Sequence, residues 1–172
     1  SKEYAILEYF PDNAGLDRLA ALDAAEAQRW RELYWANVRR FGVEPSDKVF
    51  VDKLPLHTIY LPVIRKLFPR AKILMARRDP RDVVVSCFRR RFRPNPLVVE
   101  FTDLERTAGL YAAAMRLAEI YGGLFDMPVH VHRHEDLVED LDAQTRAICD
   151  FIGVPWDANM RNFVETANRR DI

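Results

Sequence analysis

The feature that most limits the fold of this chain is a short apolar run followed at once by a helix start. Residues 73–76 (ILMA) are apolar throughout, as in a strand that is covered on both faces. After two arginines, Asp79 is a good N-cap and Pro80 suits the first position of a helix. The segment therefore predicts a buried strand that turns directly into a helix from Pro80 to about Phe92.

Further strands and helices alternate along the chain. Apolar or alternating runs predict short strands at 48–51 and 129–132, and helical spacing predicts helices at 17–41, 59–68, 103–121, 140–152 and about 157–167. Such alternation implies one compact domain with a parallel sheet and helices on both faces. Ligands bind at the carboxyl ends of such strands, so the candidate sites are the segments 52–57, 77–90 and 133–136.

Composition excludes several classes of protein. The 172 residues are 49% hydrophobic and 30% charged, and they contain neither a secretory signal nor a membrane-length apolar run. The formal net charge is +0, which argues against a general nucleic-acid surface. Cys87 and Cys149 are isolated and predicted to be reduced core thiols. We therefore expect a soluble, cytoplasmic protein with no nucleic-acid or membrane partner.

Positive charge is concentrated around the helix start. Eight arginines lie between Arg70 and Arg93, against only Asp79 and Asp82. Such a run is either a solvated helix face or the mouth of an anion-binding site. At the helix start, free N–H groups and the positive end of the helix dipole favour an anion.

Three side chains of this segment are candidates for holding one phosphate. Arg78 precedes the cap and can swing its guanidinium to the sheet edge, Ser86 lies two turns into the helix, and Arg90 lies one turn further on the same face. The alternative is a well-capped helix whose arginines pair with surface carboxylates.

The segment 78–86 resembles the 3′-phosphate motif of sulfotransferases that use 3′-phosphoadenosine 5′-phosphosulfate (PAPS). The resemblance extends over about residues 48–170, because four further motifs follow the same order and spacing. It is greatest to bacterial sulfotransferase domains often joined to tetratricopeptide repeats, which are related to the tyrosylprotein sulfotransferases. The further motifs are VDKLP at 51–55, LFPxAKI at 67–73, HEDL at 134–137 and FIGVPW at 151–156.

The resemblance implies a role for several residues. Arg78 and Ser86 are expected to hold the 3′-phosphate with support from Arg90, and Lys53 to approach the sulfonate, where negative charge builds on the bridging oxygen. The alternative interpretation of Lys53 is a surface lysine at the end of a strand, with no role in the reaction. His57 is a candidate base or else a packed or solvated histidine, since the related tyrosyl enzymes are expected to use an upstream glutamate. His134 replaces the tyrosine that commonly lies near the adenine.

Metal binding is not expected. His130, His132 and His134 alternate on a predicted strand and share one face, but no carboxylate or cysteine completes a site. The expected donor is therefore PAPS with no metal.

Two parts of such a domain are missing from the sequence. None of the six glycines lies in a loop suited to the 5′-phosphosulfate, and no segment after Ile172 closes over the nucleotide. The expected fold is therefore an α/β domain with a P-loop-like parallel sheet flanked by helices in three layers, incomplete at both ends. Residues 1–172 are expected to be a fragment of one sulfotransferase domain that is inactive alone. Glu3 and Glu8 are candidates for the missing acidic base.

The expected activity is transfer of a sulfonyl group from PAPS to an acceptor hydroxyl or amine. The expected partners are PAPS and an unknown acceptor, with a tetratricopeptide-repeat region possible in the same full-length chain. Two alternatives stay open. One is a P-loop-type phosphoryl-transfer enzyme, for which Asp52 is the sole candidate magnesium ligand of this type, although no Gly-x-x-x-x-Gly-Lys loop exists. The other is a non-catalytic domain that binds a nucleotide or a partner.

Overall fold

The computed structural model describes residues 13–44, 46, 48–90, 92 and 98–163. Two compact units divide the chain: residues 1–71 with 113–127 form the first, and residues 72–112 with 128–172 form the second. The described elements, in chain order, are α1 (Asn13–Ala21), α2 (Ala24–Arg40), a 3₁₀ helix (His57–Tyr60), α3 (Leu61–Leu67), β1 (Ile73–Arg77), α4 (Pro80–Arg89), a 3₁₀ helix (Val98–Thr102), α5 (Leu104–Leu124), β2 (Val129–Arg133), α6 (His134–Glu139), α7 (Leu141–Ile152) and a 3₁₀ helix (Ala158–Asn162).

The described part of the first unit has two helices where the sequence predicted one helix at 17–41. The prediction was wrong because Asp23 caps a new helix in the middle of the run. Its side chain accepts from the Glu26 N–H at 2.8 Å, and the Glu26 carboxylate accepts from the Asp23 N–H at 3.0 Å. This reciprocal capping box ends the continuity of the helix while leaving both halves amphipathic.

The core of the first unit lies between α1, α2 and α3. Leu19, Ala27, Val63 and Leu67 are buried against one another. Around them, half-buried aromatic side chains pack edge to face. The Tyr34 and Phe68 rings are 5.0 Å apart, and the Trp35 and Phe50 rings are 5.2 Å apart.

The predicted strand at 48–51 is absent. These residues have no regular secondary structure, and Val49 and Val51 are 52% and 66% exposed. A strand needs a hydrogen-bonded neighbour, and in the described part of the chain only β1 and β2 pair. The Phe50 ring, packed on Trp35, holds the segment instead. The helix expected at 59–68 is present as a 3₁₀ turn followed by α3, with Pro62 in its first turn.

The second unit contains a parallel sheet. β1 and β2 pair in register from Ile73↔Val129 to Arg77↔Arg133, so both strands end at the same edge. Each strand is one residue longer than predicted. The expected α/β class, with a parallel sheet and helices, is confirmed in this coarser form.

Helices follow both strands. α4 begins at Pro80 as predicted but ends at Arg89 rather than near Phe92. α5 covers the predicted helix at 103–121 and extends to Leu124. α6 was not predicted, because it is a six-residue helix that starts directly at the end of β2.

The end of the second unit follows local sequence signals. α7 begins after the cap Asp140 and ends at Gly153, whose φ of +87° is in the left-handed region. The Lys72 Nζ donates to the carbonyls of Phe151 and Ile152 at 2.7 and 3.2 Å, satisfying the end of the helix. Of the helix predicted at 157–167, a 3₁₀ turn at 158–162 is described, and residues 164–167 lie outside the described part.

Both cysteines are free thiols. Cys149 is buried, and Cys87 is half-buried. Among the described helices, none combines the length and apolar character needed to cross a membrane.

Candidate functional site

The carboxyl edge of the sheet carries the candidate site of the second unit. Because Arg77 and Arg133 are partners in the strand register, the residues after β1 and those after β2 leave the sheet side by side. Arg78 and Asp79 follow the first strand, and His134 and Glu135 follow the second. In parallel α/β sheets, this edge is where ligands bind.

Asp79 caps α4 as predicted. Its Oδ1 accepts from the Arg81 N–H at 2.9 Å, and its Oδ2 accepts from Arg81 Nη2 at 2.7 Å. These hydrogen bonds, first from the side chain and then from the backbone of Arg81, hold the pKa of the Asp79 carboxyl well below its usual range. Asp79 therefore stays ionised and fixes the first turn of the helix.

The expectation of free N–H groups at this helix start was wrong. The Asp79 N–H donates to Glu135 Oε1 at 2.8 Å, and the Arg81 N–H donates to the cap itself. Carboxylates of the protein thus already occupy these donors, since capping removes the same unsatisfied groups that an anion needs. These two N–H groups are therefore not available to a phosphate.

Arg78 is exposed but not free of partners. Its Nε and Nη2 donate to Asp82 Oδ2 at 3.2 and 2.9 Å, and its side chain is 44% exposed. The sequence left open whether these arginines pair with carboxylates. Arg78 pairs with Asp82, and Arg81 pairs with Asp79. Arg78 binds Asp82 through one edge of the guanidinium, and its Nη1 has no partner in the described part of the chain, so it can take an anion.

Ser86 and Arg90 extend this arrangement along α4. Asp82 and Ser86 are four residues apart and lie on one face of the helix, so Arg78 is directed along the face that bears Ser86. Ser86 is half-buried, and its hydroxyl has no hydrogen-bond partner among the described residues. Arg90 is the C-cap and has extended backbone (φ −85°, ψ 141°), so it leaves the helix at this point.

The three histidines do not share one strand. His134 is exposed and opens α6, whereas His130 and His132 lie on β2 with their rings 6.4 Å apart. Burial and the neighbouring His130 lower the pKa of His132. Among the described residues (13–44, 46, 48–90, 92 and 98–163), no group of three His, Cys, Asp or Glu is arranged to hold a metal.

Lys53 and His57 belong to the first unit, where they follow the coil at 48–51. Lys53 is exposed, and His57 Nε2 lies 4.0 Å from Asp52 Oδ1. Tyr34, on α2, donates its hydroxyl to Asp52 Oδ2 at 2.7 Å. Tyr34 therefore fixes the Asp52 carboxylate, which precedes Lys53 in the sequence and lies near the His57 ring. Glu3 and Glu8 lie outside the described residues.

Sequence reasoning missed the contact of Glu135 with the turn after β1. The residue lies within the HEDL motif, but only His134 was assigned a role there. A signal was present, because Asp79 and Glu135 each lie two residues beyond the strand end. Once the strands are paired in parallel, these two positions become neighbours.

Comparison with known proteins identifies the family of the chain. The family model described as "Sulfotransferase family" matches residues 4–158. A protein of Aquifex aeolicus (strain VF5), named "Uncharacterized protein", is 26% identical over 117 residues. The alignment covers 67% of this chain and 15% of that relative, so the chain spans a small part of the relative's length. No solved structure matches the chain.

The family match includes every motif that carries the candidate site: the residues after the coil at 48–51, the turn and helix after β1, and the start of α6. It extends over most of the chain. The chain therefore belongs to the sulfotransferase family.

Proposed function

We propose that the full-length protein transfers a sulfonyl group from PAPS to an acceptor hydroxyl or amine. The proposed architecture is the P-loop-like, three-layer α/β fold, of which β1 and β2 are two strands. The proposed subtype is the bacterial one joined to tetratricopeptide repeats, so such a region is a candidate partner within the full-length chain.

The observation that carries this proposal is the turn from β1 into α4. Arg78 lies at the carboxyl end of a parallel strand. Among the described residues, its Nη1 and the Ser86 hydroxyl have no hydrogen-bond partner, and Ser86 is on the helix face toward which Arg78 is directed. A charged fork and a hydroxyl suit the 3′-phosphate of the donor nucleotide. Arg90, at the far end of α4, supplies additional positive charge.

The proposed reaction is an in-line displacement at sulfur. The acceptor oxygen or nitrogen forms a bond to sulfur while the bond from sulfur to the bridging phosphate oxygen breaks. The electron pair of that bond leaves with 3′-phosphoadenosine 5′-phosphate, and the acceptor proton goes to a base. Positioning and charge stabilisation supply most of the acceleration in this account.

Lys53 and His57 are the proposed groups for the reacting atoms. Lys53 is exposed and cationic, which suits the charge that develops on the bridging oxygen. His57 is the candidate base, and the nearby Asp52 carboxylate, held by Tyr34, favours a fixed ring orientation. His134 is the proposed neighbour of the adenine, since an exposed imidazole can stack on a purine.

Isothermal calorimetry with 3′-phosphoadenosine 5′-phosphate tests the nucleotide site. Arg78→Ala is expected to weaken binding by about 1.5–3 kcal/mol, the range for loss of a charged hydrogen bond. Arg81→Ala is the matched control, because it removes the same charge from the next turn but its partner is the cap Asp79. Equal affinity of the wild type and Arg78→Ala would sink the assignment, and so would an equal loss in both variants.

A further inference from the structure

Glu135 connects the two strand ends. It lies two residues beyond β2, and its Oε1 accepts from the N–H of Asp79, which lies two residues beyond β1, at 2.8 Å. The contact joins positions 56 residues apart in sequence. It is a hydrogen bond between a side chain and the backbone, so it fixes the main chain of the turn.

Glu135 is itself fixed in place. Its Oε2 lies 3.6 Å from Arg133 Nε. Hydrogen bonds from its own backbone N–H and from that of Asp79 hold the pKa of Glu135 below its ordinary value. The acceptor is therefore a carboxylate at the N-terminal end of α4, where the helix dipole favours negative charge.

The backbone on either side of Arg78 is thus held. On one side, Arg77 is the last residue of β1 and pairs with Arg133 in the ladder; on the other, the Asp79 N–H is bound by Glu135. The direction in which the Arg78 side chain leaves the sheet edge depends on both anchors. Without the second anchor, the turn keeps the cap of α4 but loses its attachment to the neighbouring strand end.

We propose that Glu135 is a positioning residue for the nucleotide phosphate, acting through the backbone of Asp79 on the orientation of Arg78. The proposal rests on the proposed function, because it assumes that Arg78 binds the 3′-phosphate. Glu135 has no contact with the ligand in this account. Its loss should therefore affect the 3′-phosphate selectively.

The test combines nucleotide affinity with amide exchange in the full-length protein. Glu135→Ala is expected to weaken binding of 3′-phosphoadenosine 5′-phosphate about tenfold and to leave binding of adenosine 5′-phosphate within about twofold. NMR should show at least roughly tenfold faster exchange of the Asp79 N–H. Glu135→Gln retains an oxygen acceptor of the same reach and is expected to restore both values to near the wild type. Glu139→Ala, the same change on the same helix, is the control.

Each outcome has a distinct meaning. Unchanged selectivity in Glu135→Ala, or an equal loss for both nucleotides, overturns the positioning role. If Glu135→Ala does not fold, Glu135→Asp replaces it, because the shorter side chain keeps the charge and withdraws the oxygen from the Asp79 N–H. A wild type that does not distinguish the two nucleotides overturns the proposed function and the positioning role with it. If exchange of the Asp79 N–H still depended on Glu135 in that case, the hydrogen bond between the two residues would stand, but it would have no role in nucleotide binding.

Discussion

Two segments of the molecule were predicted in the same way and fold differently. The phosphate turn (residues 77–82) was expected to follow a strand, and the lysine segment (residues 48–57) was expected to begin with one. The phosphate turn does so, with β1 on one side and the capped start of α4 on the other. The lysine segment begins with a coil instead, and the Phe50 ring and the Tyr34–Asp52 hydrogen bond attach it to α2.

The difference concerns the range of the interactions that form each segment. A cap, a proline at the first helical position and a salt bridge between residues four apart lie within one short stretch of sequence. The lysine segment depends on side chains 15 to 18 residues away, such as Trp35 and Tyr34. Substitutions in the packed helices should therefore disturb the lysine segment, whereas the phosphate turn should respond to changes in its own residues and in Glu135, which binds the Asp79 N–H.

The largest expected effect is the loss of core packing in the first unit. Leu67 is 2% exposed and belongs to the buried cluster of α1, α2 and α3. Leu67→Ala is expected to lower the free energy of unfolding by about 2–5 kcal/mol through lost burial and the cavity left behind. Chemical denaturation measures this free energy. The control is Leu33→Ala, at a 43% exposed position of α2, which is expected to lower the free energy of unfolding by only about 0.5 kcal/mol. Equal costs at the two positions would contradict the described core.

A local backbone signal is tested at Gly153. Its φ of +87° suits glycine, so Gly153→Ala is expected to cost about 1–2 kcal/mol of stability. Gly109 lies inside α5, and a Cβ built there meets no heavy atom within 4 Å. Gly109→Ala should therefore stabilise the protein by about 0.5–1 kcal/mol. Thermal unfolding of both variants checks the opposite signs, and a destabilising Gly109→Ala would contradict the open environment.

The side-chain attachment of the lysine segment is tested at Tyr34. Tyr34→Phe keeps the ring contacts with Trp35 and Phe68 but removes the hydroxyl that binds Asp52. The expected cost is about 0.5–1.5 kcal/mol, with faster amide exchange in residues 52–57 and not in the phosphate turn. Tyr111→Phe is the control, because the Tyr111 hydroxyl has no hydrogen-bond partner in the part of the chain that the structure describes. Unchanged amide exchange in residues 52–57 would show that the Tyr34 hydroxyl does not attach the lysine segment to α2, which contradicts the comparison of the two segments.

The smallest expected effect is a pH dependence in the phosphate turn. The pKa of Asp79 is lowered in the folded state, so its ionised form stabilises the fold above the ordinary carboxyl pKa of about 3.9. That contribution is lost as pH falls from about 4 toward the lower folded-state pKa. Asp79→Asn keeps a cap but does not titrate. The difference in midpoint temperature between wild type and Asp79→Asn should therefore shrink as pH falls from about 5 to 3, and a difference that is constant with pH would contradict this account.

The sequence predicted the parts of the fold that short-range chemistry determines. β1, the capped start of α4, β2 and the ending of α7 at Gly153 were all identified from runs of apolar residues, caps and glycine. The capping box of Asp23 and Glu26 was equally local, yet the helical spacing found over residues 17–41 concealed the start of a new helix. The strand expected at 48–51 failed for a different reason, since an apolar run does not specify a pairing partner.

The candidate site also has a part that follows from local sequence and a part that depends on tertiary contacts. The position of Arg78 before the cap and that of Ser86 on α4 follow from the sequence alone. The binding of Glu135 to the Asp79 N–H and of Tyr34 to Asp52 needs tertiary structure, because neither pair has a short sequence separation. The salt bridge from Arg78 to Asp82 is local. The spacing of the two residues in the sequence does not decide whether an arginine pairs with a carboxylate or binds a ligand.

The most direct test of the central claim is discrimination of the 3′-phosphate by a variant that lacks both proposed ligands. Calorimetry compares 3′-phosphoadenosine 5′-phosphate with adenosine 5′-phosphate in the wild type and in Arg78→Ala/Ser86→Ala. The wild type should prefer the bisphosphate by about 1.5–3 kcal/mol or more, and the double variant should bind both nucleotides with nearly equal affinity. A double variant that keeps the full preference would show that the 3′-phosphate is held elsewhere and would contradict the claim.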